Sequence, residues 1–458
     1  MDSIPMYDDD NECGDQCFTE NTDDLDYEYP PEQETLVELY NYCISPTLYD
    51  TFWYLVPLIV ASSICNIAAR ISHIPHKVFH CITASTGIYL VWHYAYECFY
   101  LLILFILLFY LYLHLPKDLR RGTKVFIPSL VLILFCEFFM KPKEWNKVRG
   151  VIMIAVMKAS SVAVDKSELD TPTNFYEYAG YMFCSVTVLF GPWTTFENYV
   201  NLYNKTKWKF WWIFVAVGYM LVAFVCLCVS NCWTNWILSD SGGRWMVAFR
   251  DALGFRTSHY FICFIASSIM LTGGFPLSQT VITKPLEIEV PRSLVQVVIS
   301  WNIPMHNWLK TYVFRPGCKQ LGRFGAIIMT YVASSLLHGL NFQLAAVLLS
   351  LGFYTYIEYQ LRKLLANVFD ACIASKQCSL HKCEHSRTSM NCYWVTLVNA
   401  TFGCLTMFHL SYLGLMFDTS DTQETGYSYS HTIEKWSQLG FASHWVAFAT
   451  YCAYYLIR

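Results

Sequence analysis

"FWWIFVAVGYMLVAFVCLCV", residues 210–229, carries no charged side chain along its whole length. A helix rises about 1.5 Å per residue, so about 20 apolar residues cross the hydrocarbon core of a bilayer. "TFWYLVPLIVASSICNIA" (51–68) repeats the signal. Comparable runs fall at 78–95, 98–115, 125–140, 150–164, 175–193, 259–281, 324–340, 342–360, 393–416 and 439–457. Hydrophobic residues make up 55% of the chain and charged ones only 14%, against about 25% charged in a soluble protein. The pattern predicts an all-α, polytopic transmembrane helical bundle of about 10–12 segments, some short enough to be re-entrant. The lipid bilayer is therefore its expected surrounding, and no nucleic-acid partner is expected.

The net charge of −4 conceals two populations. Residues 1–38 hold 14 Asp or Glu and no Lys or Arg, which leaves 21 acids against 31 bases in the remainder. An acidic leader over residues 1–46 buries too little apolar surface to fold alone. Residues 47–458 show no internal repeat or linker and read as one transmembrane domain. Lys and Arg collect in cytoplasmic loops. Arg70 with Lys77, residues 117–124 and 204–209, Lys310 to Arg323, and Arg362 to Arg387 are accordingly read as cytoplasmic. The leader and "DTSDTQET" (418–425) are read as lumenal. The alternation fails at "KPKEWNKVR" (141–149), which is basic where a lumenal loop is wanted.

Most of the 19 cysteines lie in apolar runs, as Cys65, Cys81, Cys136, Cys184, Cys226 and Cys228 do, where a thiol serves as a small hydrophobe. Cys372, Cys378, Cys383 and Cys392, with His381 and His385, raise the question of a metal. Their spacing, C-x5-C-x4-C-x8-C, lacks the paired C-x2–4-C knuckles of structural zinc sites. The segment is read as a basic cytoplasmic loop with thiols near the membrane that are open to acylation, and no metal is expected.

Two polar features interrupt the apolar pattern. In "SWNIPMHNWLKTYVF" (300–314), Asn302, His306, Asn307 and Lys310 crowd together and Pro304 breaks the helix. A bend between two short helices follows, and non-helical backbone at membrane depth is tolerated only where protein buries it or a cavity adjoins it. In "YVASSLLHGLNFQLAAVLLSL" (331–351), His338 stands alone among apolar residues, with Ser334 one turn earlier and Gly339 after it. An ionisable residue inside a span is a functional candidate, and a neutral imidazole is a competent general base. Lys310, Arg315, Lys319 and Arg323 suit a phosphorylated cosubstrate at the cytoplasmic face, and equally satisfy the positive-inside rule.

An Asn in a "WNxPxHxW" stretch, followed 36 residues later by such a His, resembles the membrane-bound O-acyltransferase family. The likeness extends through "KPLEIEVPRSLVQVVISWNIPMHNWLKTYVF" (284–314), "RGVIMIAVMKA" (149–159), "FGPWTTFENY" (190–199) and "SHTIEKWSQLGFASHW" (430–445). It implies a catalytic His338 and a catalytic Asn302, with Trp301, Tyr312, Ser334 and Arg315 contacting acyl-CoA. The branch resembled implies transfer of palmitoleoyl from palmitoleoyl-CoA to a serine hydroxyl of Wnt proteins at the endoplasmic reticulum membrane. A sterol or diacylglycerol acyltransferase would use the same chemistry on a lipid acceptor. A proton-coupled transporter would use His338 as a relay, but predicts repeated broken segments in two halves, and none are found.

Overall fold

The computed structural model describes residues 35–71, 74–115, 122–169, 174–203, 211–238, 242–378, 383, 385–417 and 429–458. Most of the acidic leader, the loop at 418–425 and His381 lie outside the described residues. Among the described residues no β-strand occurs, only one isolated bridge between Ala371 and Arg387. The all-α expectation holds.

The first long helix begins earlier than composition suggested. Thr35 Oγ1 accepts from Glu38 N while Glu38 Oε2 accepts from Thr35 N, a reciprocal cap that satisfies two end amides. From there helix runs through Leu36–Arg70, so the body starts about ten residues before the boundary drawn at 46. That helix and Trp211–Ile237 are each long and apolar enough to span. His76–Tyr94 and Tyr96–Tyr112 together meet the same criterion but are bent by 111° where they join. Several of the other expected segments depart from a simple apolar span. Ile127–Phe139 and Phe175–Met182 are short, and the run at 175–193 leaves helix after Met182. Pro142–Leu169, Arg244–Thr272 and Phe342–Val368 are long but carry charges that packing must shelter.

A disulfide joins Cys43 to Cys232, tying together the ends of the two apolar spans. The sequence reading did not foresee it. Elsewhere the described cysteines are free, and Cys65, Cys98, Cys136 and Cys184 are buried in the main apolar cluster. That cluster also takes in Trp308, Leu309, Tyr312, Val313 and Leu337, with Met305, Met329 and Ala333 packed against it. The two polar features of the sequence thus share one core.

Candidate active site

Leu294–Trp301 is helical, Asn302 is extended, and Ile303–Trp308 resumes with Pro304 in its first turn. The bend predicted from Pro304 therefore falls on Asn302. The upstream helix is fixed at its start by a carboxylate. Glu358 Oε2 accepts from Leu294 N at 2.9 Å, and Glu358 pairs with buried Arg362 at 3.2 Å. At its end, Lys284 N donates to Ser300 O at 3.1 Å and Ile303 N donates to Ile282 O at 2.8 Å. His259 Nε2 lies 2.9 Å from Trp301 O, and its ring stacks on the Trp301 indole at 4.3 Å. A carbonyl only accepts, so His259 carries its proton on Nε2.

The side chain of Asn302 is divided between two tasks. Its Oδ1 accepts from Met305 N at 3.0 Å and caps the downstream helix. Committing the carbonyl half to the cap fixes the amide plane. Among the described residues no hydrogen bond engages Nδ2, so the half left over is a donor.

After Trp308 the chain passes through a π-helical turn, Leu309–Phe314, into Arg315–Leu337. This helix is broken at Gly322, where φ is 69° and ψ 179°, a backbone region essentially confined to glycine. Nine residues of straight helix span about 13.5 Å. A Cβ placed on Gly317 would instead lie 3.5 Å from the Cα of Ala326. The chain has doubled back at Gly322. The returning limb runs back alongside the incoming one and ends at His338.

His338 ends the returning limb as its C-cap, half-buried. Gly339 follows with φ at 88°. A Cβ there would lie 2.4 Å from Glu137 Oε2. That oxygen accepts from Leu340 N at 3.0 Å and from Trp145 Nε1 at 2.8 Å, so Glu137 clamps the turn on which the imidazole stands. Arg149 and His259 are the electrostatic neighbours of His338. Because His259 also holds Trp301 O, one residue neighbours both halves of the site. None of Glu137, Arg149 and His259 was singled out from sequence. A carboxylate inside the apolar run at 125–140 was the available signal for Glu137.

The remaining candidates are distributed as follows. Trp301 packs between Phe255 and His259. Buried Tyr312 donates to Asp165 at 3.0 Å and meets Trp193 and Trp308, so its hydroxyl serves to anchor the π-helical turn. Ser334 is buried one turn before His338, and Arg315 is exposed at the start of the helix. A pocket of about 140 Å³ lies beside the bend, lined by Glu287, Arg292, Gln296, Ser300, Lys376 and Gln377 among others. Lys310 and Lys376 both act electrostatically on His306, so this flank of the site is cationic. The larger open groove, along Lys77, Val78, Cys81, Ile82, Ser85, Thr86 and Tyr176, shares no residue with it.

A neutral donor, an imidazole and a cationic flank are the parts that acyl transfer from a phosphorylated thioester requires. Residues 78–373 match the model of the membrane-bound O-acyltransferase family. The chain belongs to that family and is an acyltransferase. Its relatives are specific: it is 34% identical over 462 residues, 93% of this chain and 98% of the relative, to the protein-serine O-palmitoleoyltransferase porcupine of Homo sapiens. The porcupine of Mus musculus is 35% identical over 93% of this chain and 98% of its own length. That of Anopheles gambiae is 34% identical over 69% of this chain and 70% of its own.

Proposed function

We propose that this protein transfers a palmitoleoyl group from palmitoleoyl-CoA to a serine hydroxyl of Wnt proteins at the endoplasmic reticulum membrane. One observation carries the reading: the chain doubles back at Gly322, so the limb that ends at His338 runs back along the one that leaves Asn302, in a chain similar over almost its whole length to protein-serine O-palmitoleoyltransferases. A serine hydroxyl is a weak nucleophile without a base. His338 takes its proton as the oxygen attacks the thioester carbonyl. The carbonyl carbon then bonds to serine oxygen, the carbon–sulfur bond breaks, and the proton leaves with coenzyme A.

Asn302 Nδ2 donates to the developing oxyanion, a contribution of about 2.7–4 kcal/mol for one such donor. Its own Oδ1 is held by Met305 N, so the donor needs no reorganisation during the reaction. Lys310 and Lys376, with Arg292 in the adjoining pocket, receive the phosphates of coenzyme A, and Arg315 extends that charge outward. The test is direct. Purified protein is incubated with palmitoleoyl-CoA and a Wnt hairpin peptide, with and without its serine. Serine-dependent acylation supports the proposal; transfer to sterol or diacylglycerol, with the peptide inert, overturns it.

A further inference from the structure

We propose that Cys372, Cys378, Cys383 and His385 form a structural zinc site that fastens the loop between the Phe342–Val368 and Tyr393–Gly414 helices. The three thiol sulfurs lie within 4.8 Å of one another. His385 Nδ1 stands 3.6 Å from Cys378 Sγ and 3.6 Å from Cys383 Sγ but lies outside the group of atoms all within 4.8 Å of one another, so its edge to Cys372 Sγ closes only when the ion binds. With Zn–S near 2.3 Å and Zn–N near 2.0–2.1 Å, a tetrahedron has sulfur–nitrogen edges of about 3.6 Å and sulfur–sulfur edges of about 3.8 Å. Three thiolates and an imidazole are a soft donor set of the kind that selects zinc. The linear spacing concealed this because only Cys378 and Cys383 form a short pair. The remaining proximity is made by the fold.

Backbone pairing creates that proximity. Cys372 N donates to Arg387 O at 2.8 Å and Arg387 N donates to Asp370 O at 3.1 Å. This bridge sets the Cys372 end of the loop against the His385 end. A zinc ion with three thiolates carries one excess negative charge, and Arg292 answers it. Its Nη2 lies 3.9 Å from Cys372 Sγ while donating to Cys372 O at 2.7 Å. Charged donors aimed at ligand atoms are the usual second layer of a metal site.

The loop also needs such a fastening. Among the described residues its own apolar cluster contains only Ala366, Ala371, Ile373 and Val395 as buried members. So small a core does not offset the entropy of ordering an irregular segment, and a metal is a common substitute. The same loop supplies Ser375, Lys376 and Gln377 to the pocket beside Ser300, so holding it in place holds one wall of that pocket.

Full-length protein purified in detergent without chelators should carry about one zinc ion per chain by elemental mass spectrometry. The double variant Cys378→Ser with Cys383→Ser should fall to background. Should that variant not fold, the unaltered protein still decides. Brief maleimide labelling followed by peptide mapping should spare Cys372, Cys378 and Cys383 while Cys392, in the same loop but outside the cluster, reacts. A strong chelator should then open all three. The proposal is overturned if folded protein neither retains zinc nor takes up added Zn²⁺, or if zinc persists in a folded double variant. Chelator-independent labelling, S-acylation or disulfide formation at these three thiols also overturns it.

Discussion

In the proposed mechanism two side chains, His338 and Asn302, decide the reactivity of the site. His338 stands at a helix end, on a turn gripped by Glu137. His338→Ala should lower acyl transfer by about 10²–10⁴, the share of a general base, while the protein elutes and melts as before. Near-normal turnover in a folded variant would remove the base from the mechanism. Asn302 has a dual duty, and substitution should separate its parts. Asn302→Ala should lower turnover by about 10²–10³ through loss of a donor. Asn302→Asp keeps an oxygen for the Met305 cap but does not donate when ionised, so it should retain stability better than Asn302→Ala and remain as inactive. If Asn302→Asp is active, Nδ2 is not the donor. Both residues stood out in the sequence because a polar group among apolar neighbours is conspicuous. Their supports did not, since Glu137 meets Leu340 across more than 200 positions and His259 grips a backbone carbonyl that leaves no mark in composition.

The helical hairpin at 303–337 depends on a backbone that glycine alone adopts comfortably. A Cβ on Gly322 would meet no atom within 4 Å, so Gly322→Ala introduces no clash. Its cost is conformational, about 1–3 kcal/mol for a residue forced into that region. The variant should melt at lower temperature and lose activity in parallel, as the two limbs slip and His338 is displaced. Gly218 in the Trp211–Ile237 helix is equally unobstructed, and Gly218→Ala should be neutral or stabilising because alanine is the better helix former. Equal behaviour of the two variants would show that the Gly322 backbone does not matter. The break at Asn302 was legible because Pro304 announces it. The reversal at Gly322 was not, because "KQLGRFGAIIM" offers two glycines, Gly322 and Gly325, among helix formers and no proline to mark which one breaks the helix. Local propensity there permits a straight helix, and the contact of Gly317 with Ala326 and Met329 selects the bent one.

At the scale of the whole molecule, thiol chemistry and charge agree on orientation. Cys43 and Cys232 are joined, as is expected where the environment oxidises. Cys372, Cys378 and Cys383 lie close together yet are free, as is expected where it reduces. The joined pair lies next to the acidic leader and the free group within the basic loop, which matches the bias of Lys and Arg toward the cytoplasm. Under the proposed function, this orientation would let acyl-CoA approach from the cytosol along the cationic flank while the acceptor arrives from the lumen. In sealed microsomes an impermeant maleimide should therefore label Cys392 without detergent. An epitope in the leader should resist added protease, and the Cys43–Cys232 bond should survive an impermeant reductant, until the vesicles are opened. Early reduction of that bond together with protection of Cys392 would invert the molecule. The cationic pocket at Arg292 and Lys376 would then open to the lumen, where no acyl-CoA is supplied from the cytosol, and entry of the donor past that flank could not be correct.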